Sequence, residues 1–295
     1  MAGVMSYFVT LVAAREATSL TQSAIDRVRH AVTGGPPTIL SAGEAAEFRT
    51  SDAPDLDAAR RALEGAPIDV LASRARGRRR GLLLADMDST IVTGETLDEL
   101  AAEAGIGEKI AAITRRSMNG DLDFQQALRE RVAMLKGLDV AALERTWSRT
   151  QLTPGAQTLV ATMRKHGAMT ALVSGGFTFF TARVAALCGF DHYRANTLLD
   201  DGATLTGAVA EPILDRDTKL ATLRELAELR GVRLSATLAV GDGANDLAML
   251  KEAGLGIAYR AKPIVAAEIA NRVEFADLRA VLFAQGYPES VFTEE

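Results

Sequence analysis

The chain has one cysteine, Cys188, in 295 residues, so no internal disulfide can form and a reducing compartment is expected. Cys188 closes the apolar run 184–188, where a thiol serves as a small buried hydrophobe. Aromatic residues are scarce at 5%, and none interleaves the densest basic stretch, Arg74, Arg76, Arg78, Arg79 and Arg80. Basic residues are not in excess either. Lys and Arg number 33 against 38 Asp and Glu, giving a net charge of -5 and a pI near 5.4. No global attraction to nucleic acid or to an anionic membrane follows, and the arginine cluster reads as a solvated linker. Long hydrophobic runs are missing too. The first apolar stretch, Tyr7–Ala14, has no basic residue before it and is too short to span a membrane. No internal repeat or low-complexity segment occurs. What remains is an ordinary soluble composition, 48% hydrophobic and 24% charged, in a chain long enough for two domains. A soluble, cytoplasmic protein is the expectation.

The first eighty residues alternate strand and helix signals. Ser6–Val12 is rich in β-branched and aromatic residues, and Leu20–Val32 is apolar at helical spacing with Ser19 or Thr21 to cap it. Thr38–Leu40, Leu56–Leu63 and Ile68–Leu71 continue the pattern as strand, helix and strand. This βαβαβ order predicts a small α+β module over residues 1–78, with no concentration of Asp, His or Cys to carry chemistry. It is a candidate for binding an effector or a second subunit, or a packing appendage.

The chemistry gathers after the linker. Leu82-Leu83-Leu84-Ala85 runs straight into Asp86-Met87-Asp88-Ser89-Thr90. An apolar run closed by acids predicts a buried strand of a parallel sheet ending at the ligand-binding edge. Residues two apart in extended chain point the same way, and two close carboxylates repel unless a divalent cation relieves them. A metal-assisted site with Asp86 as ligand or nucleophile is the expectation. Four amphipathic helices follow, Thr96–Ala104, Gly107–Met118, Phe124–Leu135 and Val140–Ser148, as an insertion placed to act as a lid. Glu95 and Arg131 fall in this region, where a charge is more often solvated surface.

The alternation then resumes. Thr153 is expected to cap a helix with Pro154 in its first turn, and Ala168–Val173 reads as a second core strand. Ser174-Gly175-Gly176 should close that strand in a tight turn with backbone N–H groups exposed to a phosphate. Asn196–Leu198 and Thr204–Thr206 read as a hairpin, and Lys219 sits in the first turn of a helix over Asp217–Arg230, against the macrodipole. Thr237–Val240 is a third core strand, running into Gly241-Asp242-Gly243-Ala244-Asn245-Asp246. Leu255–Ala258 and Val273–Phe275 complete the sheet. Each signal is weak alone; three strand ends converging on one sheet edge are not.

In order and separation, Asp86–Thr90, Ser174, Lys219 and Gly241–Asp246 resemble the four motifs of the haloacid dehalogenase (HAD) superfamily, over roughly Gly81 to Phe275. Within it, the chain resembles the phosphoserine phosphatase family. Glu95 after Asp88-Ser89-Thr90, Met118-Asn119-Gly120 before Phe124, Leu128–Val132, Val173–Phe177 and Ala261-Lys262-Pro263 carry that closer likeness. The resemblance implies an α/β fold: a Rossmann-like parallel-sheet HAD core over residues 79–295, a helical cap over about 94–150, and an ACT-like N-terminal domain. It implies Asp86 as nucleophile and Asp88 as general acid/base. It also implies Mg²⁺ on the Asp86 and Asp242 carboxylates and the Asp88 backbone carbonyl, with Asp246 supporting that set. Ser174, the Gly175 N–H, Lys219 and Asn245 would hold the phosphoryl group. Glu95 would take the ammonium and Arg131 the carboxylate of O-phosphoserine, with Phe124 and Met118 as an apolar wall. The activity implied is hydrolysis of O-phospho-L-serine to serine and phosphate through an aspartyl-phosphate, the last step of serine biosynthesis, with a homodimer through the N-terminal domain as a further expectation. The alternative within the superfamily is a phosphatase or phosphotransferase for another small phosphomonoester. A dehalogenase has no need of Asp88, and a P-type pump would need membrane spans.

Overall fold

In the computed structural model of the chain, residues 6–118 and 123–293 are described; the side chains of Arg115, Ser117, Met118 and Arg216 lie outside that description. The N-terminal part comprises β1 (Tyr7–Ala13), α1 (Gln22–Ala31), β2 (Pro37–Ser41), β3 (Ala45–Thr50), α2 (Leu56–Arg61) and β4 (Ile68–Arg74). Thr21 caps α1 through a bond from the Ala24 N–H, and Asp55 caps α2 through the N–H groups of Asp57 and Ala58. The sheet order is β2-β3-β1-β4, with β1 antiparallel to both neighbours. Two interleaved βαβ units of this kind make a ferredoxin-like split sheet. Val9, Leu11 and Ala13 of β1 face the helices; Val12, with Leu71 of β4, faces the main core of the molecule. A strand covered on both faces has no polar alternation, which is why β1 reads as one apolar run.

The sequence pattern predicted three strands here, and there are four. β3, with the sequence Ala-Ala-Glu-Phe-Arg-Thr, carries two charges, yet Glu47 is buried. Its partner comes from the arginine cluster: Arg78 binds both Glu47 oxygens, at 3.0 and 2.6 Å, and lies over the Phe8 ring. The cluster is therefore a solvated linker only in part: Arg74, Arg76 and Arg79 are exposed, and Arg78 and Arg80 are not. Arg79 stacks on Tyr287, and Arg80 is buried with its N–H on the Gln285 side chain and a guanidinium N–H on the Ser235 carbonyl.

The second sheet begins with β5 (Leu82–Ala85). After it come the wide turn Met87–Ile91 and four helices: α3 (Thr96–Glu103), α4 (Gly107–Met118), α5 (Phe124–Ala133) and α6 (Ala141–Trp147). These fall where the amphipathic pattern put them. The insertion leaves and re-enters the body at one place: Val92 bridges Leu152 antiparallel, the Thr93 N–H donates to Gln151 and the Thr153 N–H to Ile91. The rest of the chain runs α7 (Ala156–Lys165), β6 (Met169–Phe177), α8 (Thr178–Cys188), β7 (His192–Asn196), the hairpin β8 (Leu198–Asp200) and β9 (Leu205–Val209), then α9 (Arg216–Arg230) and β10 (Thr237–Gly241). It ends with α10 (Leu247–Glu252), β11 (Leu255–Tyr259), α11 (Pro263–Glu268), β12 (Arg272–Val273) and α12 (Ala280–Ala284).

The six strands are all parallel in the order β12-β11-β10-β5-β6-β7. Strand order reverses at β5, the place where open α/β sheets bind ligands. Leu82 and Leu84 pack on the α9–α10 side, and Leu83 and Ala85 on the other. Both faces of β5 are thus core, and four apolar residues in succession are what that requires.

Three local expectations fail. α7 starts two residues late, at Ala156: Gly155 takes a left-handed φ of 82°, and a Cβ there would lie 2.9 Å from Arg279 backbone. β6 does not stop at Val173 but continues through Ser174-Gly175-Gly176 to Phe177, re-pairing with Asn196 after a register shift. Asn196 belongs to β7 rather than to the hairpin, because its side chain bridges the Gly175 carbonyl and the Leu214 backbone.

Candidate active site

Asp86 follows the last residue of β5 and stays extended, with φ -72° and ψ 159°. Its carboxylate is buried, accepting the Met87 N–H at 2.8 Å and meeting Lys219 Nζ at 2.6 Å, both on Oδ1. Lys219 is no surface lysine opposing a helix dipole. It is 2% exposed and also meets Asp246 Oδ1 at 2.6 Å. Burial works against the Lys219 charge, but the Asp246 and Asp86 carboxylates outweigh it and hold the ammonium protonated. Asp246 in turn accepts the Gly243 N–H at 3.0 Å, closing the short turn Ala244–Asp246 at the end of β10. Asp242 completes the corner. Burial pushes its carboxyl up to about 6, against the pull of Lys262, with Asp246 adding to the rise. Burial and then Asp246 likewise raise Asp86, with Lys219 opposing.

One oxygen from each of Asp86, Asp242 and Asp246 lies within 4.8 Å of the others. Of three buried carboxylates, Asp86 and Asp246 share the buried Lys219 ammonium and Asp242 has only the half-exposed Lys262 at 3.5 Å, so the corner is short of positive charge. An all-oxygen, negatively charged donor set fits a hard divalent cation. Asp246 is already engaged by Lys219 and Gly243, which leaves Asp86 and Asp242 as the better donors. The Asp88 carboxylate is not part of this cluster.

Asp88 serves a different neighbourhood. Its Oδ1 accepts the N–H of Thr96, first residue of the lid helix α3, at 2.8 Å, and its Oδ2 accepts the Ser174 hydroxyl at 3.0 Å. Burial first, then the Glu95 charge, push its carboxyl up to about 6, with the Thr96 and Ser174 bonds opposing. The acid pair expected to share one cation is thus split: Asp86 faces the acidic corner and Asp88 the lid. The turn Met87–Ile91 makes the split, with Ser89 at a left-handed φ of 53°. Gly176 lies directly beneath Asp88; a Cβ there would come 2.8 Å from its Oδ2 and 3.0 Å from Ser174 Oγ. Backbone without a side chain is what admits the carboxylate.

The remaining expected residues surround these two centres. Glu95 accepts the Ser89 hydroxyl at 2.8 Å. Arg131, half-buried on α5, donates its Nε–H to the Ala127 carbonyl, and Asp98 and Glu95 stabilise its charge against burial. Phe124 covers Gly175, where a Cβ would meet its ring at 3.2 Å. Asn245 folds over Gly243, its Oδ1 2.3 Å from where a Cβ would stand. The Met118 side chain and residues 119–122 lie outside the described residues. Two residues to which the sequence assigns no role belong to the site: Thr96, through its bond to Asp88, and Lys262, whose Nζ lies 3.5 Å from Asp242 and 3.6 Å from Glu95. The signal for Thr96 was its place as first helical residue after an acidic loop. For Lys262 it was a lysine between a strand end and a helix-starting proline.

An α/β sheet with a lid inserted after its first strand, and acids on two adjacent strand ends, defines a class of hydrolase. The family model for haloacid dehalogenase-like hydrolase matches residues 83–251, more than half of the chain. A phosphoserine phosphatase of Streptococcus thermophilus is 45% identical over 203 residues, 69% of this chain and 94% of that protein. Among solved structures, a HAD family hydrolase from Salmonella enterica serovar Typhi superposes with a TM-score of 0.84 at 29% identity, covering 95% of this chain and 98% of that one. A substrate-bound phosphoserine phosphatase complex superposes with a TM-score of 0.65 at 40% identity, covering 69% and 97%. The chain spans 54% of one of the longer curated relatives it matches and nearly all of others. The chain belongs to the haloacid dehalogenase-like hydrolases, and its place among them is with the phosphoserine phosphatases. No helix among the described residues is long and apolar enough to cross a membrane.

Proposed function

We propose that the chain hydrolyses O-phospho-L-serine to serine and phosphate, the serine-forming step of serine biosynthesis. The observation that carries this reading is Glu95, a carboxylate held by Ser89 whose charge acts on the acid Asp88 and, after that of Asp98, on Arg131 of α5. In this reading a carboxylate oxygen of Asp86 attacks phosphorus in line. The bond from phosphorus to the serine oxygen breaks, and Asp88 gives that oxygen its proton. An aspartyl-phosphate remains on Asp86. Asp88, now ionised, takes a proton from the water that attacks phosphorus and releases Asp86. A carboxyl raised to about 6 suits both halves of that cycle near neutral pH.

Ser174, the Gly175 N–H and Asn245 bind phosphoryl oxygens, while Lys219 neutralises the nucleophile's surroundings and the transferring group. Mg²⁺, held by Asp86, Asp242 and the Asp88 backbone carbonyl, would supply further charge neutralisation when bound. Arg131 holds the substrate carboxylate, and Phe124 closes the apolar side. For residues 1–78 the proposal is an effector- or subunit-binding unit, beside a phosphatase unit over 79–295 with its cap at about 94–150. A panel of phosphomonoesters assayed with Mg²⁺ tests the substrate. O-phospho-L-serine should be turned over best, and Asp86→Asn should abolish turnover; equal or better turnover of phosphosugars overturns the assignment.

A further inference from the structure

Lys262 stands where the chain, leaving β11, turns back across the end of β10. Its N–H donates to the Asp242 carbonyl at 3.0 Å, its carbonyl accepts from Val265 and Ala266, and Pro263 opens α11. Two residues earlier, Arg260 takes a left-handed φ of 42°, a conformation that costs a side-chain-bearing residue energy. The loop is thus bent and pinned, and it carries the lysine over the strand ends. Nζ then lies 3.6 Å from Glu95 Oε1 and 3.5 Å from Asp242 Oδ2, with the Lys262 and Glu95 side chains each 45% exposed. The Glu95 separation exceeds a hydrogen bond, so that contact is a loose, partly wet ion pair that gives way readily, while the 3.5 Å contact with Asp242 is a weak hydrogen bond at most. Glu95 does not depend on it for position, because the Ser89 hydroxyl holds it at 2.8 Å.

We infer that Lys262 is a specificity-determining residue: its ammonium occupies, on Glu95, the place that the substrate's ammonium takes. This rests on the reading of Glu95 above and adds a competitor to it. A phosphoester bearing an ammonium exchanges one cation for another at hydrogen-bond distance. An ester without one leaves Lys262 where it is, with the Glu95 charge still neutralised. Lys262 therefore softens the demand for an amino group. Without its charge, Glu95 favours the ammonium-bearing ester more and repels the anionic, ammonium-free one more. The weaker attraction for the phosphate dianion acts on both esters alike and cancels in their ratio.

The test is the ratio of kcat/KM for O-phospho-L-serine over its deaminated analogue, 3-phosphooxypropanoate, at Mg²⁺ saturating for each variant. Lys262→Met should raise the ratio about two- to fivefold, the range an exposed ion pair supports, mainly through KM. Lys262→Arg should leave it at the wild-type value, and in a Glu95→Gln background Lys262→Met should no longer move it. Lys262→Gln gives the same reading should methionine impair folding, which a thermal midpoint reports. A ratio that stays flat or falls in the charge-free variants, or rises equally without Glu95, overturns the inference. A wild-type ratio near one fells the Glu95 reading and this inference together; a high wild-type ratio unmoved by Lys262→Met fells this inference alone.

Discussion

Two aspartates separated by one residue end up in different surroundings: Asp86 meets Lys219 and the Met87 N–H, Asp88 the Thr96 N–H and the Ser174 hydroxyl. Asp88 shows what its placement costs. Its carboxyl sits at about 6 against an ordinary 3.8, so the folded chain holds that proton more tightly than the unfolded one. A raised acid lowers stability as pH climbs from the unfolded to the folded value: the penalty is absent below about pH 4 and complete above about pH 6, about 3 kcal/mol at most. Asp88→Asn should therefore raise the thermal midpoint of the metal-free protein by several degrees at pH 7.5 and leave it nearly unchanged at pH 4, while phosphatase activity collapses. A gain of the same size at both pH values would show that the carboxyl is not raised. At this scale the positions of Asp86, Asp88 and Asp242 were legible, because polar side chains at the end of a buried apolar strand contribute little to packing and face the ligand edge. Lys219 was harder: helix position alone made it an unfavourable surface charge, and only the fold brings Asp86 and Asp246 to it. Thr96 acts through a backbone N–H, which no residue type betrays.

Among the elements, β6 is the one whose local sequence misleads. Ser-Gly-Gly reads as a turn, yet the strand continues, and the glycines are there because Asp88 and Phe124 approach the backbone from above. Gly176→Ala would place a methyl 2.8 Å from Asp88 Oδ2. The carboxyl must then shift, and kcat should fall by about 10- to 100-fold with the thermal midpoint little changed, the loss expected if Asp88 has the acid/base role proposed for it. Equal loss of kcat and of folded protein would place the defect in the strand instead. The lid helices were readable because their apolar residues recur at helical spacing over several turns. β3 was not, because its buried glutamate looks like solvated chain until Arg78 is brought to it from beyond the end of β4.

Across the whole molecule, the N-terminal sheet is fastened to the catalytic sheet by buried polar groups that no local pattern reveals. Asp69 of β4 accepts three consecutive backbone N–H groups beyond β12: Glu274 at 2.8 Å, Phe275 at 3.2 Å and Ala276 at 2.8 Å. Glu44 pairs with Arg279, and Asn271 accepts the Ala72 N–H. Asp69→Ala leaves those three donors unmatched and should cost about 2–4 kcal/mol in urea unfolding, with the activity of the folded fraction retained. A loss below about 0.5 kcal/mol would mean that water replaces the carboxylate fully. The βαβ order of the first eighty residues was visible in the sequence; their attachment was not, because each contact joins residues about two hundred positions apart.

The bridge from Val92 to Leu152, with its flanking bonds between Thr93 and Gln151 and between Thr153 and Ile91, has a bearing on how such a protein changes its diet. The insertion departs and returns through one zipped neck, between two strands that are already neighbours, so its chain path leaves the strand order undisturbed. The cap is a cassette. Exchanging it at that neck would hand the same phosphoryl-transfer machinery to a different ester, and lineages could trade substrates there without rebuilding the nucleophile.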